Sequence, residues 1–133
     1  VVGLVGESGC GKSTLGRIVA GILPQSAGEV FWNGQNVGAL RGEAARTAKL
    51  RRQMIFQDPY ASLNPRMKVA DIVGEAPLVH GLVKRADFDS YVDEQMRRAG
   101  LDPIFKRRYP HQFSGGQRQR IGIARARAVQ PEF

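Results

Sequence analysis

The spacing of apolar positions changes along the chain, and each change predicts a different element. Val1-Val2-Gly3-Leu4-Val5 is a short β-branched run closed by Gly6, the pattern of a strand buried on both faces. After a turn over residues 6–11, Leu15, Ile18, Val19 and Ile22 share one helical face. That predicts a helix over 12–23, ended by Pro24. Residues 29–32 predict a short strand, and Asn33-Gly34 a hairpin leading towards Val37. A polar, Ala-rich helix follows over 43–51, then a second buried strand at Met54-Ile55-Phe56. Asp58-Pro59 and Asn64-Pro65 mark irregular backbone. Beyond them the pattern turns helical, with Val69, Ile72 and Val73, then Phe88, Val92 and Met96. Tyr109-Pro110 breaks it, Ser114 offers a good N-cap, and a last helical stretch runs to Val129 with Pro131 as its stop. No repeat or low-complexity tract interrupts this order of strand, loop, helix, strands and a mostly helical half.

Composition narrows the class. With 133 residues, 42% of them hydrophobic and 24% charged, the chain is one domain's worth of globular protein, not a disordered tail, a collagen-like rod or a disulfide scaffold. Its apolar runs last only a few residues, too short to span a bilayer. Cys10 is alone and forms no internal disulfide, which fits a reducing compartment. No initiator Met or signal-peptide pattern is present, and the chain opens as if cut from something longer.

The net charge of +8 is local. Residues 97–127 carry nine basic residues against Asp102 alone, whereas 1–96 carry eleven basic and ten acidic. Such a segment could meet the phosphates of a nucleic acid, a lipid surface or a nucleotide. The plainer reading is that acidic sequence elsewhere balances it.

Gly6-Glu7-Ser8-Gly9-Cys10-Gly11-Lys12-Ser13 fits G-x-x-x-x-G-K-[ST], with a strand expected before it and a helix after. Glycines let successive N–H groups curl inward around a phosphate, and the helix that follows adds its N-terminal dipole. Lys12 would reach the β- and γ-phosphates of a nucleotide, and the Ser13 hydroxyl would ligate Mg²⁺. A second anion site is expected where Ser114 caps a helix whose first residues, Gly115 and Gly116, leave their amides bare. Two such sites suggest two nucleotides, or one shared between two molecules.

The stretch Phe113-Ser114-Gly115-Gly116-Gln117 resembles the signature Leu-Ser-Gly-Gly-Gln of the ATP-binding subunits of ABC transporters, with Phe113 in place of the leucine. Gln57 sits where that family has its Q-loop glutamine. Phe56-Gln57-Asp58-Pro59, Ala61-Ser62-Leu63-Asn64-Pro65-Arg66-Met67 and Arg108-Tyr109-Pro110-His111 look like the oligopeptide/dipeptide branch of importer ATPases. The resemblance implies an α/β fold: a P-loop NTPase core, incomplete here, with a helical subdomain. It divides a single partial domain into a core part over 1–67, helices over 68–120 and a return to the core over 121–133. It also implies that Gly6, Glu7, Ser8, Gly9, Cys10, Gly11, Lys12 and Ser13 hold the triphosphate of ATP, with Thr14 close to the α-phosphate. Gln57 would touch Mg²⁺ or the attacking water, and Ser114, Gly115, Gly116 and Gln117 would face ATP on a second ATPase subunit, identical or not. Membrane-spanning permease subunits would contact residues near 58–67, and no nucleic acid is expected. Such a subunit works in the cytoplasm, peripheral to the membrane.

The family's later elements are expected but do not occur. No apolar run here ends in Asp-Glu, and neither His80 nor His111 stands at the switch position; both read as ordinary surface or loop histidines. The family's adenine-stacking aromatic precedes the P-loop, so Phe31 and Trp32 are expected to pack locally instead. Hydrolysis needs a metal clamp and a group that positions water, so weak MgATP binding and no turnover are expected of this chain alone, with low stability from a bare sheet edge. Arg127 shares a helical face with Ile123 where the branch has an apolar residue, so it must snorkel outward or loosen the helix. A soluble ABC protein of translation or DNA repair would share the P-loop and signature without needing Asn64-Pro65-Arg66-Met67. A nucleotide-binding regulator without hydrolysis also remains open, and a nucleic-acid module would leave the P-loop unexplained.

Cys10 lies within the phosphate turn, where a small residue fits. Alkylating it is expected to block MgATP, as read by titration of the modified chain; normal binding after modification would rule this out.

Overall fold

The computed structural model describes residues 2–133, so Val1 of the expected opening strand lies outside the described residues. These residues form two compact units: residues 2–54 together with 132–133, and residues 55–131. In the first unit α1 spans Lys12–Val19, β1 Phe31–Trp32, β2 Gln35–Asn36 and α2 Gly42–Leu50. The second holds α3 (Pro59–Ser62), α4 (Val69–Val79), α5 (Phe88–Arg98) and α6 (Gly115–Arg127), with one 3₁₀ turn between α4 and α5 and two between α5 and α6.

Two expected strands do not form. Residues 2–6 carry no strand, with Val2 96% and Val5 94% exposed, and Met54-Ile55-Phe56 is irregular. A strand buried on both faces needs neighbours in the sheet and helices over it. Among the described residues the ladder consists of β1 and β2 alone, pairing Phe31 with Asn36 and Trp32 with Gln35. The hairpin turn is the one expected: Asn33 and Gly34 take φ of 49° and 77°, which a type I′ turn requires. Its strand is shorter than the expected 29–32. Trp32 packs edge-on against Phe133, with ring centroids 5.8 Å apart, whereas Phe31 is 59% exposed, against the expectation of local packing.

The helix expected over 12–23 stops at Val19, ahead of Pro24. Gly21 adopts φ 75°, and the N–H groups of Gly21 and Ile22 donate back to the carbonyls of Ile18 (3.0 Å) and Arg17 (2.8 Å). This left-handed glycine cap recurs after α4, where Leu82 donates to Pro77, and after α5, where Leu101 donates to Met96, both at 2.9 Å. Glycine one residue past the cap thus sets three helix ends. α6 likewise ends at Arg127, short of Val129.

The second unit carries the core. Val69, Val73, Val92, Met96 and Ile121 are fully buried, joined by Phe113 and Leu101. These are the positions the helical spacing singles out on α4 and α5, closed by α6. Arg127 is exposed, so it has turned outward instead of loosening the helix. Gly74 marks the tightest crossing: a Cβ there would stand 2.3 Å from the Phe88 ring and 2.8 Å from Val92 Cγ2. Gly122 on α6 has nothing within 4 Å of an added Cβ.

Gly74→Ala is expected to lower unfolding stability by about 1–3 kcal/mol through overpacking. Gly122→Ala raises it by up to about 1 kcal/mol through helix propensity. Denaturant melts of the two variants check the contrast.

Candidate functional site

Gly6 to Ser13 form a turn that leads directly into α1. Gly9 and Gly11 adopt φ of 83° and 97°, a region closed to most side chains, and Gly11 is the N-cap of α1 without a side-chain cap. The first intrahelical bond runs from the Leu15 N–H to the Gly11 carbonyl, at 2.9 Å. The amides of Lys12, Ser13 and Thr14 therefore precede the helix's own ladder and point out of its N-terminus. Lys12 folds back over the turn: its Nζ donates to the carbonyl of Gly6 at 2.7 Å and to that of Glu7, and stands 3.5 Å from Cys10 Sγ. A Cβ on Gly6 would lie 2.7 Å from that sulfur, so a side chain there would have to push the Cys10 thiol aside. Glu7, Ser8, Ser13 and Thr14 are exposed.

The second anion site expected from the sequence falls at the start of α6. Ser114 is its N-cap, accepting from the Gln117 N–H at 3.3 Å, while Gln117 Oε1 accepts from the Ser114 N–H at 3.0 Å. This reciprocal capping box is legible as Ser-x-x-Gln, yet the role expected of Gln117 was toward a nucleotide. Gly115 and Gly116 are exposed, with open space where a Cβ would be. Their amides, unlike that of Gln117, are left without a cap. Gln57 is exposed two residues ahead of α3. The turn over residues 6–13 belongs to the first unit, and Gln57 and Ser114–Gln117 to the second.

The basic residues of 97–127 are largely engaged within their own unit. Arg118 Nε donates to the Pro110 carbonyl at 2.8 Å, Arg120 to that of Gly100 at 2.9 Å and Arg125 to that of Ser62 at 2.6 Å. Lys106 pairs with Asp93 at 2.8 Å and Asp89 at 3.6 Å, Arg98 pairs with Glu94, and Arg108 lies over the Phe105 ring. Burial lowers the pKa of Arg125, as it does that of Arg52 in the first unit. Neither arginine is singled out by spacing, because a carbonyl partner leaves no trace in sequence. His111 is exposed and stacks on Tyr109 at 5.8 Å, and His80 caps the C-terminus of α4.

A glycine-rich turn that opens a helix, with a lysine folded over it, defines a phosphate-binding class. The family model for the ABC transporter matches residues 1–133, and the chain belongs to that family. It is 54% identical over 137 residues to the oligopeptide transport ATP-binding protein OppF of Bacillus subtilis (strain 168), covering 99% of this chain and 44% of that protein. It is 52% identical to the dipeptide transport ATP-binding protein DppF of Lactococcus lactis subsp. cremoris (strain MG1363), covering 98% of this chain and 43% of that protein. The chain thus spans less than half the length of these relatives. Among solved structures it is similar to the ATP-binding cassette MJ0796, a dimer bound to ADP and Pi. That match has a TM-score of 0.78 and 29% identity, over 94% of this chain and 54% of that one. The α/β P-loop fold read from the motifs is that of these neighbours, although the two described strands are short.

Ser114→Ala removes one arm of the capping box and is expected to cost about 1 kcal/mol of stability, with Ser114→Asp retaining most of it. Thermal melts of the two variants measure the difference.

Proposed function

We propose that this chain is the ATP-binding part of an ATPase subunit that drives import of peptides or similar small solutes. The observation that carries the reading is the open N-terminus of α1, with bare amides at Lys12, Ser13 and Thr14 and the Lys12 ammonium above the turn. Three amides, one ammonium and two hydroxyls suit the oxygens of a triphosphate. Residues 6–14 would wrap the phosphates of ATP. Ser13 offers Mg²⁺ one hard oxygen and the nucleotide's phosphates supply others, the usual way this ion is held. When bound, Mg²⁺ neutralises charge on the phosphates, and Gln57 would meet the ion or the water that attacks.

The high identity to OppF and DppF supports peptides as the cargo class, against a non-transport ABC protein or a regulator. The dimeric state of MJ0796 supports pairing of two ATPase subunits. In that pairing Ser114, Gly115, Gly116 and Gln117 would face the partner's ATP, with the Gly115 and Gly116 amides free to receive it. Permease subunits in the membrane would meet residues near 58–67, placing the subunit on the cytoplasmic face. The internal engagement of the 97–127 arginines favours this reading over nucleic-acid binding. Within it, residues 1–67 serve as core, 68–120 as helical subdomain and 121–133 as the return to the core. Because no apolar run ends in Asp-Glu, the chain alone binds MgATP weakly and releases no phosphate.

MgATP titration and phosphate release, run beside Lys12→Ala, test the reading. The expected result is binding that Lys12→Ala abolishes, without turnover. Lys12-dependent turnover would show that a carboxylate already present does the missing job, and Lys12-independent binding would remove the P-loop assignment.

A further inference from the structure

The C-terminal end of α1 is closed by backbone partners and, last, by a side chain from beyond another helix. The carbonyls of Gly16, Arg17 and Ile18 accept from the N–H groups of Ala20, Ile22 and Gly21 at 2.9, 2.8 and 3.0 Å. That of Val19, the final residue of the helix, accepts instead from Arg52 Nη1 at 2.8 Å. Arg52 follows α2, and its Nε donates to the Ala48 carbonyl in the last turn of that helix at 2.9 Å. Its Nη2 lies against Gly21, where a Cβ would stand only 3.3 Å away. Arg52 is 4% exposed, so this cation sits between the negative ends of two helix dipoles with water excluded. The planar fork is what allows both hydrogen bonds at once; an ammonium cannot reproduce them.

Side-chain packing does not hold α1 in the same way, because none of its eight residues is fully buried. A helix of eight residues is about 12 Å long, so a tilt of about 10° around a loose C-terminal end moves its first amides by about 2 Å. Hydrogen bonds to a phosphate tolerate about 0.5 Å.

We propose that Arg52 is a positioning residue for the phosphate turn: by holding the Val19 and Ala48 carbonyls together it ties α1 to α2 and keeps the Lys12, Ser13 and Thr14 amides aimed at one point. The inference rests on the phosphate reading of the turn, so its test separates the two. MgATP affinity and melting temperature are measured for the unaltered chain, Lys12→Ala, Arg52→Met and Arg52→Lys, with circular dichroism fixing the folded fraction. The expected result is binding lost in Lys12→Ala, weakened roughly tenfold in folded Arg52→Met, and intermediate in Arg52→Lys. If Arg52→Met melts early yet its folded fraction binds with unaltered affinity, the residue is structural only and the proposal falls. Should Arg52→Met not fold, Arg52→Lys decides alone: weakened binding supports the proposal and unaltered binding overturns it. If the unaltered chain shows no Lys12-dependent binding, the phosphate reading itself fails and takes the Arg52 role with it.

Discussion

A helix leaves four amides at its start and four carbonyls at its end without internal partners, and the way those groups are met organises this molecule. At the start of α1 they are left open: Gly11 caps without a side chain, and the amides beyond it face outward under the Lys12 ammonium. At its end they are closed, three by the chain's own turn around Gly21 and the last by Arg52. An open positive end opposite a closed, cation-held negative end makes the helix dipole point at the turn.

The start of α6 is handled differently. Ser114 and Gln117 satisfy each other's backbone, fixing where the helix begins, and the two glycines between them keep only their amides. The capping box thereby commits the two side chains that could reach a ligand most readily to holding the backbone in shape. What remains for an anion is main chain, which suits a surface that meets a phosphate carried by another molecule. The neighbouring arginines are engaged in a similar way: Arg118, Arg120 and Arg125 donate to carbonyls at the ends of turns and short helices. Part of a formal charge that reads as a nucleic-acid surface is thereby used to tie loops to α6.

Much of this is legible in the chain. Val69, Val73, Val92 and Met96 fall at helical spacing and form the buried core; Asn33-Gly34 makes its hairpin; Ser114 caps its helix. Helix ends are misplaced where proline is preferred to glycine as the stop, since Gly21 acts before Pro24 is reached. The strands at Val2–Val5 and Met54–Phe56 fail for a non-local reason. Their apolar runs specify burial on two faces, and the ladder among the described residues is β1 and β2 alone. Arg52 and Arg125 are invisible to pattern because a backbone acceptor imposes no partner residue. The Ser114–Gln117 box is present as a pattern, but its nucleotide reading hides its structural one.

The central claim is that phosphate docks on the open end of α1, and amide chemical shifts of the labelled chain on addition of MgATP test it most directly. The account predicts that the largest changes fall on Gly6, Gly9, Gly11, Lys12, Ser13 and Thr14, with the amides of 97–127 outside 114–117 little altered. Changes concentrated in 97–127, with the Lys12 turn unmoved, would contradict it.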